Sequence, residues 1–152
     1  MIQILKKEGR KLIELQAVEQ GCWVNIYPPF TNESLEKLAK EYDIPYDFLI
    51  DSLDRDEVSR YDYDDDVDWI VINTPIYNDS IIEDESFFFT VPIGIISKKE
   101  YIITISPYKN RVIDHYLENR TKSFNPANQG NFILDIFDRN VYYFLYYLFF
   151  LG

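Results

Sequence analysis

Short apolar runs near the N-terminus alternate with polar segments, a pattern typical of β-strands. Ile2 to Leu5 and Leu12 to Leu15 flank a charged segment that contains Gly9, and this arrangement predicts a β-hairpin. Gly21 to Ile26 predicts a third strand. This strand should stop at Pro28-Pro29, because proline cannot donate a hydrogen bond to a sheet.

The spacing of apolar residues then changes to a helical period. Thr31 predicts an N-cap, and Leu35 and Leu38 lie on the apolar face of the helix that follows. A second, short helix is predicted to begin at Pro45, which suits the first position of a helix. It should end near Asp54.

Four more strands are predicted in the middle of the chain, where β-branched and aromatic residues are frequent. They cover Val58 to Tyr63, Val67 to Tyr77, Ser86 to Ser97 and Tyr101 to Ile105, and Asn78 to Glu85 is a polar connection. The alternation of sheet-forming and helix-forming segments indicates one domain that contains both.

Two helices are predicted at the C-terminal end of the chain. The first begins at Lys109 or Asn110, and the second follows a loop from Asn125 to Gly130. From Val141 to Leu151 the second helix is apolar or aromatic on every side. Such a helix is normally buried, and we expect a missing part of the protein to cover this surface.

Composition and charge narrow the classes of function. The 152 residues are 47% hydrophobic and 17% aromatic, enough for one domain with a core and too apolar for a disordered chain. The formal net charge of −11 disfavours nucleic acid and anionic membrane surfaces, and favours cations or basic protein surfaces. No signal peptide and no apolar segment of membrane-spanning length is visible.

Few residues are suited to catalysis. His115 is the only histidine and lies on a predicted surface helix, while Cys22, the only cysteine, is expected in the core. A single cysteine cannot form an intramolecular disulfide, which agrees with a reducing compartment. The sequence offers no candidate nucleophile with a general base to activate it. We therefore interpret the protein as not an enzyme.

The acidic run from Asp62 to Asp68 resembles a calcium-binding loop, since its carboxylates alternate as in an EF-hand. The match fails at the sixth position, where Val67 replaces glycine, and at the twelfth, where Asn73 replaces glutamate. We therefore predict a solvated acidic turn between two strands.

A second acidic group comprises Asp47, Asp51 and Asp54, which are four and three residues apart. This spacing can place all three carboxylates on one helical face, where like charges repel. Two interpretations remain open. In the first, the carboxylates cap the short helix and are solvated by water. In the second, they bind a divalent cation or a basic residue of a neighbouring chain.

Several motifs of apolar type occur in a characteristic order. They are Trp23 to Ile26, Ile44 to Asp54, Arg60, Asp68 to Asn73, Pro92 to Ile96 and Tyr101 to Ile105. In this order they resemble the N-terminal cytosolic domain of the CorA-type magnesium and cobalt transporters, and the resemblance covers nearly all of the chain. It implies an α/β (α+β) fold, an α/β/α sandwich in which helices flank a mixed, largely antiparallel sheet.

The resemblance also implies a function. Family members are homopentameric channels for Mg²⁺ and Co²⁺, and their cytosolic domain senses the ion at the cytoplasmic face of the inner or plasma membrane. Carboxylates between subunits bind Mg²⁺ and hold the pentamer closed. The sensing carboxylate matches Asp51, and Asp47 and Asp54 are additional candidate ligands. No organic cofactor is implied.

The sequence departs from the family pattern at several points. Ile50 replaces a frequent glutamate, Asp56 to Arg60 replaces a Glu-Arg-Pro-Arg-like stretch, and the Gly-Met-Asn pore motif is absent. We expect a CorA-like domain over residues 1–140 and, over 141–152, the start of a helix toward a missing stalk and membrane part. Such a fragment should be soluble and monomeric or weakly oligomeric. The alternative is a free-standing acidic protein-interaction module of related fold.

Overall fold

The computed structural model describes residues 1–77 and 88–151, with the backbone alone for residues 150 and 151. Its strands are β1 (Ile2–Glu8), β2 (Lys11–Leu15), β3 (Trp23–Ile26), β4 (Arg60–Asp64), β5 (Val67–Tyr77), β6 (Phe88–Ser97) and β7 (Ile102–Ile105). Its helices are α1 (Asn32–Glu41), α2 (Tyr46–Asp51), α3 (Arg111–Leu117) and α4 (Gln129–Tyr146), and a π-helical turn (Tyr147–Leu151) follows α4.

Within these residues, seven strands form one sheet in the order β2-β1-β3-β7-β6-β5-β4. β3 and β7 are parallel, and the other neighbouring pairs are antiparallel. The prediction of a mixed, largely antiparallel sheet is therefore confirmed. The predicted polar connection Asn78 to Glu85 lies outside the described residues, as does the start of the strand predicted from Ser86.

Helices cover both faces of the sheet. On one face, α1 and α2 bury Leu35, Phe48 and Leu49 against alternate strand residues such as Val24 and Trp69. On the opposite face, α3 and α4 bury Val112, Tyr116, Phe132 and Ile136 against Trp23 and Ile95. Because successive strand residues point to opposite faces, each central strand contributes to both cores. The predicted α/β/α sandwich is confirmed.

Local sequence signals account for the element boundaries. Gly9 has a φ of 62° in the β1–β2 turn, a left-handed conformation that glycine adopts without steric cost. The Thr31 hydroxyl accepts a hydrogen bond from the Ser34 amide at 3.0 Å, and the Ser34 side chain accepts one from the Thr31 amide at 2.9 Å. This reciprocal cap begins α1 at the predicted position. The Asn110 side chain caps α3 by accepting a hydrogen bond from the Ile113 amide at 2.9 Å.

The C-terminal segment is only partly buried. Tyr147 is buried, but five other apolar or aromatic residues of the same segment are exposed: Val141, Tyr142, Leu145, Leu148 and Phe149. α4 packs on the sheet along one side through Phe132, Ile136 and Asn140, and one side of a helix cannot cover the others. No helix in the described part of the chain is long and apolar enough to cross a membrane.

Candidate functional site

The short helix α2 places Asp51 at its last position. Phe48 and Leu49 are buried, and the Phe48 ring stacks on the Trp69 indole with centroids 5.0 Å apart and an interplanar angle of 13°. A helix of six residues has little stability of its own, so packing on β5 holds α2 in place. The Asp51 side chain, on the outer side of this contact, is 36% exposed.

Ser52 fixes the C-terminal end of α2 to the sheet. Its buried hydroxyl donates to the Phe48 carbonyl oxygen at 2.6 Å and accepts a hydrogen bond from Trp69 Nε1 at 2.8 Å. Gly94 of β6 lies directly beneath, and a Cβ atom at that position would lie 2.0 Å from Ser52 Oγ. The missing side chain of Gly94 therefore allows the close approach that sets the position of Asp51.

The Asp51 carboxylate faces a guanidinium group. Arg60 Nη2 lies 3.3 Å from Asp51 Oδ2, and Arg60 Nε lies 3.1 Å from Glu57 Oε1. The same guanidinium lies over the Trp69 ring, with Cζ 4.6 Å from the centroid. Arg60 thus links two carboxylates and covers the buried indole, a contact that combines charge pairing with cation–π attraction. The sequence motif included Arg60 but did not indicate this contact.

The other two predicted carboxylates are not gathered beside Asp51 by the fold. Asp47 is exposed in the first turn of α2, while Asp54 lies beyond the end of the helix, where its side chain accepts a hydrogen bond from the Asp56 amide at 2.9 Å. Across the described residues, no group of three or more His, Cys, Asp or Glu side chains is placed to hold a metal ion. Any role of Asp47, Asp51 and Asp54 as ligands shared with another chain stays a prediction.

The acidic run forms the turn between β4 and β5, as predicted. Asp65 and Asp66 have φ angles of 50° and 62°, the conformation required by a tight hairpin. The Tyr63 hydroxyl donates to Asp66 Oδ1 at 2.7 Å, and the Tyr61 hydroxyl donates to Asp68. These hydrogen bonds to carboxylates are the main reason that the pKa of each tyrosine is raised.

His115 is buried, with 8% of its surface exposed, so the prediction of a surface histidine is wrong. It lies on the side of α3 that faces α4, and its Nε2 lies 2.6 Å from Thr121 Oγ1. Burial is the main cause of a lowered pKa, and the nearby Arg139 lowers it further. Cys22 is fully buried, as predicted for a core residue.

Sequence reasoning missed a second charged feature, on the opposite face of the sheet. Three of the six arginines in the chain, Arg111, Arg120 and Arg139, line one cleft beside α3 and α4. They come from separate segments, and no motif in the sequence connects them. In a chain with a net charge of −11, this local concentration of positive charge is a distinctive surface feature.

Several solved structures share this fold. The soluble domain of CorA from Methanocaldococcus jannaschii is 24% identical, with a TM-score of 0.61, over 80% of this chain and 47% of that chain. The complete CorA magnesium transporter from that organism is 23% identical, with a TM-score of 0.61, over 78% of this chain and 36% of that chain. The ZntB cytoplasmic domain from Vibrio parahaemolyticus RIMD 2210633 is 12% identical, with a TM-score of 0.69, over 96% of this chain and 59% of that chain.

A family model, CorA-like Mg²⁺ transporter protein, matches residues 18–148. The chain belongs to this family. Its fold is that of the soluble domain of CorA, and the family is one of transporters, which agrees with the interpretation that the chain is not an enzyme. No curated protein matches the sequence. The chain spans 36% of the complete CorA structure and 47% of the soluble domain.

Proposed function

We propose that this domain is the regulatory part of a CorA-like transporter for divalent metal cations, Mg²⁺ or Co²⁺, at the cytoplasmic face of the inner or plasma membrane. The observation that carries the proposal is the family match over residues 18–148, together with the fold of the CorA soluble domain. In this proposal the domain senses Mg²⁺ and gates a pore that lies in another part of a homopentamer.

Asp51 is the residue that we propose for ion sensing. Its carboxylate is partly exposed and lies at the C-terminal end of α2, where the partial negative charge of the helix favours cations. The contact with Arg60 supports this assignment, because its positively charged guanidinium already lies against the Asp51 carboxylate. Mg²⁺ retains several water ligands and is often held by one or two carboxylates. Asp51 and a carboxylate of a neighbouring subunit would meet that requirement.

Gating then follows from charge. Each chain carries a net charge of −11, so close packing of five copies is opposed by electrostatic repulsion. A divalent cation between two carboxylates removes part of this repulsion and stabilises the closed assembly over the open one. When Mg²⁺ is scarce, the ion dissociates and the subunits separate. Asp47 and Asp54 would add to the negative potential that attracts the ion.

The test is the Asp51→Asn variant of the intact transporter that contains this domain. We expect wild-type protein to be protected from limited proteolysis by millimolar Mg²⁺, and the variant to require about tenfold more Mg²⁺ for the same protection, because a neutral amide binds Mg²⁺ weakly. Asp138→Asn, an exposed change on α4, is the matched control. Identical Mg²⁺ dependence in all three proteins would remove Asp51 from the proposed role.

One observation favours a second candidate, a free-standing interaction module. Apolar and aromatic side chains are exposed at the end of α4 and in the π-helical turn, Leu145, Leu148 and Phe149 among them. Exposed apolar patches often mark contacts with other proteins. Under this candidate the same proteolysis experiment would show no dependence on Mg²⁺ in either the wild type or the Asp51→Asn variant.

A further inference from the structure

The arginine cleft, defined by Arg111, Arg120 and Arg139, lies between α3, the turn after α3 and the second half of α4. Its volume is about 490 Å³, and tyrosines of α4 form one wall. This size falls within the range of small-molecule sites, about 300–1,000 Å³. The cleft lies on the face of the sheet opposite α2, so it is separate from Asp51.

The positive charge in this cleft is incompletely neutralised by the described residues. Arg120 Nε pairs with Glu118 Oε1 at 3.1 Å, but both side chains are largely exposed, and such pairs are weak. Neither Arg111 nor Arg139 forms an ion pair with any residue that the structure describes.

One polar atom of a residue that lines the cleft lacks a partner. Arg139 Nε is buried and makes no hydrogen bond within the described residues. A buried donor without an acceptor is costly, because it has lost its hydrogen bonds to water. Asp135, four residues before Arg139 on α4, is already engaged, because it accepts a hydrogen bond from the Tyr116 hydroxyl at 2.5 Å. An anion in the cleft would neutralise the positive charge of the Arg139 side chain, which lines it.

Aromatic rings hold two of the guanidinium groups in place. Arg111 Cζ lies 5.4 Å from the centroid of Tyr146 and 5.9 Å from that of Tyr143, and Arg139 Cζ lies 5.2 Å from the Tyr142 centroid. These contacts are within the range of cation–π attraction. Burial raises the pKa of Tyr143, while Arg139, Arg111 and Arg120 each act to lower it, so three positive charges converge on one ring.

We propose that the arginine cleft binds a small anion that carries phosphate groups. Planar guanidinium groups form paired hydrogen bonds with phosphate oxygens, and arginines held in advance lose little freedom when the anion binds. The neighbouring tyrosine rings add a surface on which a nucleobase can stack. Free polyphosphate and nucleoside phosphates share this chemistry, and the site is independent of the proposed role of Asp51.

The test is calorimetric titration of this chain with pyrophosphate, ATP and adenosine in buffer that contains EDTA, so that divalent cations at Asp51 cannot contribute. We expect pyrophosphate and ATP to bind, and Arg111→Gln to weaken both by about tenfold, the effect of losing a charge-assisted hydrogen bond. Arg139→Gln should act in the same direction. Arg111 is exposed, so its replacement leaves the fold intact.

Lys37→Gln is the matched control, because it removes one positive charge from an exposed position of α1 on the opposite face of the sheet. Its affinity for both anions should equal that of the wild type. Tighter binding of ATP than of pyrophosphate would identify a nucleotide site, and equal affinity a polyphosphate site. The proposal is overturned if neither anion binds at millimolar concentration, if adenosine binds as tightly as ATP, or if Lys37→Gln weakens binding as much as Arg111→Gln.

Discussion

Replacement of Gly94 by alanine should destabilise the domain at the point that positions Asp51. The new Cβ would lie 2.0 Å from Ser52 Oγ, 2.5 Å from Ser52 Cβ and 3.0 Å from Ile105 Cγ2. Favourable contacts between carbon atoms lie at about 3.5–4.0 Å, so Ser52 must move. Overpacking of a core costs about 1–3 kcal/mol. Displacement of Ser52 also leaves the Trp69 indole N–H without its acceptor, a further loss of about 1–3 kcal/mol.

The expected decrease in the free energy of unfolding is therefore about 2–6 kcal/mol, a large part of the stability of a typical domain. Urea unfolding followed by tryptophan fluorescence measures it. Gly130→Ala is the matched control, because a Cβ there meets nothing within 4 Å and alanine favours the helix. Its stability should equal or exceed that of the wild type.

A double-mutant cycle separates the clash with Ser52 from other effects. In a Ser52→Gly background, the two closest contacts of the new Cβ are removed, and the contact with Ile105 Cγ2 at 3.0 Å remains. Gly94→Ala should then cost less than half of its cost in the wild type, with a coupling energy well above the ~0.5 kcal/mol expected for independent sites. Additive losses, or a wild-type stability for Gly94→Ala, would refute the packing argument.

Three further predictions concern separate parts of the chain. Under the proposed function, Arg60→Gln should lower the Mg²⁺ concentration needed to protect the intact transporter from proteolysis by about two- to fivefold, since an exposed ion pair is worth up to about 1 kcal/mol. A higher requirement would contradict competition between Arg60 and Mg²⁺ for Asp51. His115 has a lowered pKa when folded, so it contributes stability above its unfolded pKa of about 6.5, and this contribution is lost as the pH falls. His115→Gln should therefore lose less stability than wild type between pH 7.5 and 5.5 in urea unfolding. Thr31→Ala should cost about 1 kcal/mol, and Thr31→Ser should not.

The elements of the fold were largely predictable because local signals define them. Gly9, Thr31 and Asn110 determine turns and helix starts through backbone conformation and capping, and β5 has the predicted bounds. The order of the strands was not predictable from these signals. β3 and β7 are neighbours although they lie about half a chain apart, and only packing of the whole sheet brings them together.

The candidate sites show the same limit. Asp51 could be proposed from the sequence because it lies within a recognisable motif on one short helix, and its role stays a prediction. The contact of Arg60 with Asp51 and Trp69, and the support from Ser52 and Gly94, depend on how α2 meets the sheet. The arginine cleft combines residues from three segments of the chain. His115 is covered by α4, although the helical pattern alone had placed it at the surface.

The most direct test of the regulatory role is ion flux through the intact transporter, measured against the Mg²⁺ concentration on the side of this domain. The proposed function predicts that flux in the wild type and in the Asp138→Asn control decreases as Mg²⁺ rises through the millimolar range. Asp51→Asn should stay conducting at concentrations that close the other two. Equal inhibition of all three proteins by Mg²⁺ would contradict the assignment of Asp51 as the sensing carboxylate.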